Sequence, residues 1–314
     1  MIIMEEFAPI TMKDIARELN VSVATVSRAL KGSTRISQQQ RERIQAYARE
    51  HSFYPNLIAE SLRNSRLRPL KIIGVIVPEL THFYFSSVLA GIEEAADARG
   101  YHIMVAHSNE QYEREVHICQ SFFENKVCGI IVSQAKDTTT YDHFQRLIER
   151  GVPLVFYDRV CTGVNASRVV VDDYMGAYTA VSHLVETGCR RVAFYSSPMK
   201  MEISKNRYNG YCDALLKHGL KVDPSLVFQC DNREEAERIT PDILRRDDRP
   251  DAFFAVNDDT AIGILYTAKH GGLRIPEEVS VCGFTNGQRA VACDPALTTV
   301  EQRGYKVGEE AADI

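Results

Sequence analysis

From Lys71 onward the sequence alternates between short, continuous apolar runs and helical stretches, a rhythm that few folds accommodate. The apolar runs lie at 72–77, 103–106, 129–132 and 154–157 in a first series, and at 169–171, 192–195, 252–256 and 279–283 in a second. The helical stretches lie near 83–99, 112–125, 141–149, 174–186, 204–217, 233–244 and 259–269. Continuous apolar strands separated by helices indicate parallel sheets that are covered on both faces. The alternation therefore predicts two consecutive doubly wound subdomains with a cleft between them.

The first part of the chain, residues 10–55, has a different pattern and predicts a small all-α domain of three helices. Thr11 precedes apolar residues at helical spacing, and Asp14 follows it at the position of a capping box. Ser22 is a good N-cap for a second helix after a tight turn, and Ser37 for a longer third helix. The apolar positions of the three helices are sufficient for one compact core.

Charge is divided unevenly along the chain. Residues 1–70 hold 11 Lys and Arg against 7 Asp and Glu, whereas the rest of the chain holds 26 against 35. A basic head in front of an acidic body indicates that the head meets a polyanion. A chance fluctuation over a short segment is the alternative that charge alone leaves open.

Membrane, export and metal-binding signals are missing from the sequence. No apolar run approaches the roughly 20 residues of a membrane-spanning helix, and the first four residues are too short for a signal-peptide core. The eight cysteines contain no CxxC pair, so a zinc cluster is not expected. Free thiols in a reducing compartment are favoured. We therefore expect a cytoplasmic protein without a membrane partner, a metal site or a cofactor.

The two helices that flank Ser22 have the spacing of a helix-turn-helix, whose second helix enters the major groove of DNA. Small and hydroxylated residues at the start of that helix permit close approach to base edges, and Arg28 can bind a guanine bidentately. We expect the DNA contacts of this motif to come from Thr11, Ser22, Val23, Ala24, Thr25, Ser27 and Arg28. The alternative is an ordinary helical hairpin with a solvated polar face.

Motifs along nearly the whole chain resemble the lactose/galactose repressor (LacI/GalR) family. They include TMKDIA from Thr11, VSVATVSR from Val21, YPN from Tyr54, VFYDR from Val155, ND at Asn257, GF at Gly283 and PALTTV from Pro295. The resemblance implies an N-terminal all-α helix-turn-helix DNA-binding domain and an α/β periplasmic-binding-protein-like core of two doubly wound parallel-sheet subdomains.

The resemblance also implies the domain boundaries. The DNA-binding domain covers 10–55, a hinge helix and linker cover 56–70, and an effector-binding and dimerisation core covers 71–314. The N-subdomain of the core covers about 71–168 plus 303–314, and the C-subdomain covers about 169–302. Relatives continue beyond the last helical stretch, so we expect a C-terminal truncation.

The hinge segment carries three further DNA contacts that the resemblance implies, Asn56, Ala59 and Leu62. Leu62 matches the leucine that the family wedges into the minor groove at the centre of a palindrome. Asn56 could cap a helix of about two turns, which is too short to be stable in isolation, so we expect it to fold on DNA. The alternative is that Leu57, Ile58 and Leu62 simply pack on the core.

Side chains at the expected cleft form a second candidate site. Asp158 and Asp258 each lie next to the C-terminal end of an apolar strand, where doubly wound domains bind ligands. A guanidinium and two carboxylates can bracket sugar hydroxyls, although each alone is more often a surface ion-pair partner. The resemblance assigns effector contacts to Tyr84, Phe85, Asp158, Arg207 and Asp258, with Ser133 as a weaker candidate. Asn232 stands near the place where some relatives have a stacking aromatic ring.

Together these features predict a transcriptional repressor, a homodimer or tetramer, that binds palindromic operator DNA. A small molecule, a sugar or sugar derivative, is expected to control its operator affinity, and both inducer release and corepressor-assisted binding are compatible with the sequence. A periplasmic-type sugar-binding protein without a DNA role is the alternative. The sequence has no GxGxxG after a strand, no HExxH and no GxSxG, so no enzyme and no catalytic residue is predicted.

Overall fold

A computed structural model describes residues 10–53 and 71–314 of the chain. The chain divides into two compact units, the head (1–70) and the body (71–314), and each is considered by itself. The hinge segment 56–70, with its candidate residues Asn56, Ala59 and Leu62, lies outside the described residues.

Residues 10–53 of the head contain three helices, α1 (Met12–Glu18), α2 (Val23–Leu30) and α3 (Gln38–Glu50). Each helix begins after the N-cap expected from the sequence, because Thr11, Ser22 and Ser37 each accept a hydrogen bond from the backbone N–H three residues later. At Thr11 the bond is reciprocal and forms a capping box with Asp14. The buried faces of the three helices meet in one small apolar core.

The body holds two five-stranded sheets in which every neighbouring pair of strands is parallel. The first has the order β2-β1-β3-β4-β5, with β1 (Ile72–Val77), β2 (His102–His107), β3 (Gly129–Val132), β4 (Leu154–Tyr157) and β5 (Ser167–Val169). The second has the order β10-β9-β8-β6-β7, with β6 (Val192–Ser196), β7 (Val227–Gln229), β8 (Ala252–Ala255), β9 (Ser280–Thr285) and β10 (Thr298–Glu301). The predicted fold class is confirmed.

Helices cover both faces of each sheet. They are α4 (Phe83–Asp97), α5 (Tyr112–Glu124), α6 (Asp142–Glu149), α7 (Asp173–Glu186), α8 (Glu202–Lys217), α9 (Arg233–Leu244), α10 (Asp258–His270), α11 (Gln288–Ala292) and α12 (Gly304–Asp313). Each sheet therefore has two apolar cores, one on either face. Central strands such as β4 and β8 are buried along their whole length, which explains their uninterrupted apolar sequences.

The strand assignments from the sequence need two corrections. The expectation that 169–171 begins the second sheet is wrong, because Val169 ends β5 and pairs with Tyr157 in the first sheet. The sequence also did not predict β7 and β10, which lie at the two edges of the second sheet and are only partly buried. An edge strand needs no continuous apolar run, so its sequence signal is weak.

The last helix returns to the first sheet. After β10 the chain turns at Arg303, whose φ of 50° lies in the left-handed region, and α12 then packs along α4. Gly91 of α4 and Gly308 of α12 make this approach possible, since a Cβ at either would overlap a backbone carbonyl of the other helix, that of Tyr305 or Val88. The first sheet is thus covered by elements from both ends of the body.

Within residues 10–53 and 71–314 no helix is both long and apolar enough to cross a lipid bilayer. In the same ranges no group of three or more His, Cys, Asp or Glu side chains is arranged to hold a metal ion. The eight cysteines are free thiols, five of them buried.

Candidate functional site

The candidate DNA-contact residues of the head lie on α2 and at the start of α1. Ser22, Ala24 and Arg28 are exposed, whereas Thr25 and Ser27 are half-buried. The Ser22 hydroxyl accepts from the Thr25 backbone N–H and lies 2.8 Å from the Thr25 hydroxyl. The first turn of α2 therefore presents a tightly held pair of hydroxyls, followed one turn later by an exposed guanidinium.

Two of the predicted DNA contacts also have local structural roles. The Thr11 hydroxyl donates to Asp14 at 2.6 Å as part of the α1 cap, and the resulting hydrogen bonds hold the pKa of Asp14 below its usual value. Val23 packs partly against the apolar core of the head. Their contacts with DNA remain predictions, as do those of the other α2 residues.

A cavity of about 440 Å³ lies in the body between the two sheets. Its walls come from loops and helix starts that follow β1, β2, β3 and β4 on one side, and β6, β7, β8 and β9 on the other. All of these segments lie at the C-terminal ends of parallel strands, where the backbones of adjacent strands diverge and leave room for a ligand. This cavity is the candidate effector site.

Asp158 lines the cavity directly after β4. Its φ of 56° places the backbone in the left-handed region, which few residues other than glycine adopt. The side chain is almost fully buried, and burial raises its pKa to about 6, although the neighbouring Arg159 opposes this shift. A partly desolvated carboxylate at this position is a strong acceptor for a ligand hydroxyl.

Arg207, from α8, is held rigidly in the wall of the cavity. Its Nε and Nη2 atoms lie 2.8 and 2.7 Å from Asp173 Oδ1, and Nη1 donates to the Val256 carbonyl. The guanidinium also stacks on the ring of Phe284, 3.7 Å from its centroid. Burial raises the pKa of Asp173, and Arg207 partly reverses that effect.

Tyr84 and Phe85, at the start of α4, provide the apolar part of the lining. Both are nearly fully buried, and their rings lie 5.5 Å apart in an edge-on arrangement. The Tyr84 hydroxyl makes no hydrogen bond within the described residues. Burial raises its pKa well above the usual value, so the hydroxyl stays protonated and can both donate to and accept from a ligand.

Ser133 and Asp258 are not among the side chains that line this cavity. Ser133, directly after β3, is fully buried. The Asp258 carboxylate accepts from the Gly287 backbone N–H at 2.8 Å and from the Thr299 hydroxyl, and it borders a smaller cavity of about 200 Å³ beside α11. Asp258 thus ties α10 to β10, whereas its neighbour Asn257 lines the main cavity.

Sequence reasoning missed several charged residues of the cavity. Glu110 accepts from Arg159 through both carboxylate oxygens, at 2.8 and 2.7 Å. Lys136, from the loop after β3, lies 2.9 Å from Asp231 on the opposite side of the cleft. Arg159 could have been found from its position next to Asp158. The ion pair between Lys136 and Asp231 joins residues nearly a hundred positions apart, and no sequence pattern predicts it.

Two asparagines shape the wall that comes from the second sheet. Asn232 and Asn257 cap α9 and α10, and each side-chain oxygen accepts a backbone N–H at 2.8 Å. The Asn257 amide also donates to the Asp231 carbonyl at 2.8 Å. Both residues line the cavity, so this part of its second wall is polar.

Comparison with known proteins gives two family matches. Residues 71–314 match the model for periplasmic binding proteins and the sugar binding domain of the LacI family, and residues 11–56 match the model for bacterial regulatory proteins, lacI family. The HTH-type transcriptional repressor CytR of Escherichia coli (strain K12) is 31% identical over 302 residues, which cover 96% of this chain and 87% of CytR.

Two solved structures resemble the whole chain. The transcriptional regulator CelR–cellobiose complex has 26% sequence identity and a TM-score of 0.71, over 97% of this chain and 91% of that one. The lac repressor dimer bound to operator and the anti-inducer ONPF has a TM-score of 0.83 over 97% and 91% of the two chains. At 23% identity, the second comparison bears on the fold alone.

Proposed function

This chain belongs to the LacI family of bacterial transcription regulators, and on that premise we propose that a sugar or sugar derivative, bound in the cleft cavity, controls its affinity for operator DNA. It is a LacI-family transcriptional repressor whose DNA binding is regulated by an effector. Regulators of this family are not enzymes. We propose both the chemical class of the effector and the residues that contact the effector and the operator.

The observation that carries the effector proposal is the composition of the cavity. Asp158, Arg207 and Asn257 converge on it with polar groups, while Tyr84 and Phe85 contribute apolar surface. A sugar presents the same combination, with hydroxyls around its rim and C–H groups on its faces. CelR, which has the same overall fold, has been solved with cellobiose, and this supports a carbohydrate effector here.

For DNA binding, we propose that α2 enters the major groove with Ser22, Val23, Ala24, Thr25, Ser27 and Arg28 over the base edges. Thr11 would lie near the backbone phosphates, and Asn56, Ala59 and Leu62 would act in the minor groove. The exposed polar surface of α2 and the excess of positive charge in residues 1–70 support this assignment. The lac repressor was solved as a dimer on its operator, so we propose a homodimer on a palindromic site.

Selection from a random DNA library tests the DNA part of the proposal. The bound fraction should converge on one palindrome with two half-sites, because each protomer of a dimer reads one half. A consensus without twofold symmetry would contradict the dimer on a palindrome. A pure sugar-binding protein would select no consensus at all.

Mobility shift on the selected DNA then tests the effector part. A sugar that binds the protein should change the operator affinity by roughly 5- to 150-fold. Asp158→Asn should bind the operator normally but respond to the sugar more weakly. An effector response that is unchanged in Asp158→Asn would move the effector site away from the cavity.

A further inference from the structure

The cavity is rich in ionisable side chains of both signs. Its lining includes five cations, Lys136, Arg159, Arg207, Arg233 and Arg289. It also includes six carboxylates, Glu79, Glu110, Asp158, Asp231, Glu234 and Asp259. His82 does not add a positive charge at neutral pH, because burial lowers its pKa. Which ligand charge the cavity favours therefore depends on which of these groups are not already paired within the protein.

The three cations deepest in the cavity are already paired within the protein. Arg207 is bound by Asp173 and by a backbone carbonyl. Arg159 donates from one nitrogen, Nη1, to both carboxylate oxygens of Glu110, and Lys136 lies 2.9 Å from Asp231. Because these groups are largely buried, an anion that displaced one carboxylate would leave that carboxylate desolvated and unpaired.

The two cations at the mouth of the cavity are also paired. Arg289 donates to Asp259 at 3.0 Å, and Arg233 donates to Glu237 at 2.6 Å. Two of the carboxylate partners, Asp173 and Glu237, are not among the lining residues. Together with the six carboxylates of the lining they give eight carboxylates against five cations. The net charge around the cavity is therefore negative.

Three polar side chains of the lining, Tyr84, Asp158 and Arg159, have atoms without a hydrogen-bond partner within the described residues. The Asp158 carboxylate makes no hydrogen bond within the described residues, and its nearest cation, Arg159 Nε, is 3.9 Å away. The Tyr84 hydroxyl is likewise unpaired. Both groups can accept a hydrogen bond, and the Tyr84 hydroxyl can also donate one. The Arg159 Nε donor, which likewise has no hydrogen-bond partner within the described residues, lies 3.9 Å from the Asp158 carboxylate.

We propose that the effector is a hydroxyl-rich molecule without negative charge, which donates to Asp158 and Tyr84, and that the cavity rejects its phosphate ester. This proposal rests on the proposed function, because it concerns the same cavity. A phosphate group carries between one and two negative charges at neutral pH. In this cavity the phosphate would lie close to carboxylates that outnumber the cations. Like charges repel strongly at short distance in a partly buried site.

Thermal unfolding of the full chain with matched pairs of probes tests the proposal. The pairs are ribose and ribose 5-phosphate, glucose and glucose 6-phosphate, and adenosine and adenosine monophosphate, with cellobiose added, each at about 10 mM. We expect at least one uncharged probe to raise the unfolding temperature, and its phosphate ester to bind roughly 10-fold more weakly or worse. A phosphate ester that binds more tightly than its parent overturns the proposal, and so does a panel in which no uncharged probe binds.

Two variants place the effect in the cavity. Asp158→Asn replaces one carboxylate oxygen by an amide donor and removes one negative charge. It should weaken binding of the uncharged probe about 10-fold or more, and it should reduce the difference in affinity between the parent sugar or nucleoside and its phosphate ester. Asp242→Asn removes the same charge on α9, where the Asp242 side chain is 75% exposed and outside the cavity lining, and should change neither value. Equal effects of the two variants would show that only the net charge of the protein matters.

The DNA selection described above keeps this proposal separate from the proposed function. A protein that selects a palindrome but prefers a phosphate ester remains a regulated repressor, and the charge argument is then wrong. A protein that binds an uncharged probe but selects no DNA retains the charge argument and loses the proposed DNA contacts.

Discussion

At the scale of single residues, Asp158 combines an unusual backbone with an unusual environment. The left-handed conformation directly after β4 brings its carboxylate to the cavity wall, and burial there raises its pKa to about 6. Aspartate tolerates this conformation better than most residues do. Residues held in such conformations are concentrated at functional sites, where the local cost is tolerated for the sake of placement.

The raised pKa of Asp158 predicts a specific dependence of stability on pH. Between the usual value of 3.8 and about 6, the folded protein binds this proton more tightly than the unfolded chain, so ionisation costs stability as the pH rises. We expect Asp158→Asn to be more stable than the parent above about pH 6, by up to about 3 kcal/mol, and the difference to disappear below about pH 4. Urea unfolding of both proteins from pH 4 to 8 measures this, with Asp242→Asn as the exposed control. A stability difference that is constant across the range would contradict it.

Arg28 is the residue of α2 from which we expect the largest contribution to base preference. Its side chain is exposed one turn after the N-terminus of α2, and a bidentate contact to guanine is worth about 1–3 kcal/mol of discrimination. Arg28→Ala should therefore relax the preference at one position of each half-site, as read from the selected DNA sequences. Arg49→Ala, at the end of α3, removes an exposed charge of the same kind and should leave the consensus unchanged. A uniform loss of affinity for all sequences would instead assign Arg28 to the phosphates.

The sequence predicts the neighbourhood of a site residue better than the direction of its side chain. Asp158 and Arg207 do line the cavity, and Asp258 was placed correctly at the end of a strand. The side chain of Asp258 is nevertheless taken up by Gly287 and by Thr299 of β10. Because β10 is an edge strand with little apolar signal, the partner that turns Asp258 away from the cavity could not be foreseen.

At the scale of elements, the central strands and the capped helices were predictable, and the edges of the second sheet were not. The N-caps Thr11, Ser22 and Ser37 mark the helix starts in the sequence, because their side chains accept hydrogen bonds from first-turn N–H groups that have no backbone acceptor. The burial of β4 and β8 on both faces enforces an apolar sequence. The close packing of α12 on α4 depends on two glycines far apart in the chain, which sequence patterning cannot pair.

The contact between α4 and α12 predicts the effect of adding one methyl group. Gly308→Ala places a Cβ against the Val88 carbonyl, so the helices must separate, and overpacking of this kind costs about 1–3 kcal/mol. Gly129→Ala is the control, because the nearest atom to its new Cβ is at 3.5 Å, an ordinary contact. Chemical denaturation should show the loss in Gly308→Ala and little change in the control. Equal stability of the parent and Gly308→Ala would mean that α12 is not docked in this way.

At the scale of the whole body, the cavity exists only because two sheets contribute to it. The ion pair between Lys136 and Asp231 joins the two sides of the cleft at 2.9 Å, with both side chains mostly buried. Glu110 also fixes the loop that carries Lys136, since it accepts from the Lys136 backbone N–H at 2.8 Å. This ion pair therefore contributes to holding the two sides of the cleft together.

Removing that ion pair should favour opening of the cleft. We expect Lys136→Ala to increase the open population by roughly 5- to 30-fold, or about 1–2 kcal/mol, without unfolding either sheet. Hydrogen exchange should then accelerate in the loops around 134–137 and 230–233 but not in the central strands. Asp231→Ala should act alike, and the double variant should be no worse than either. Lys205→Ala, which breaks an exposed pair within α8, is the control.

The route of the chain between the two subdomains limits how the cleft can move. Within residues 71–314 the backbone passes from the first sheet to the second at 170–172, and returns at 302–303 before α12. Rotation of one subdomain about the line through these two points is the motion that strains neither of these two connections. Sliding and twisting would stretch one connection or the other. A ligand that contacts both walls of this cavity would therefore act on the angle of rotation about that line.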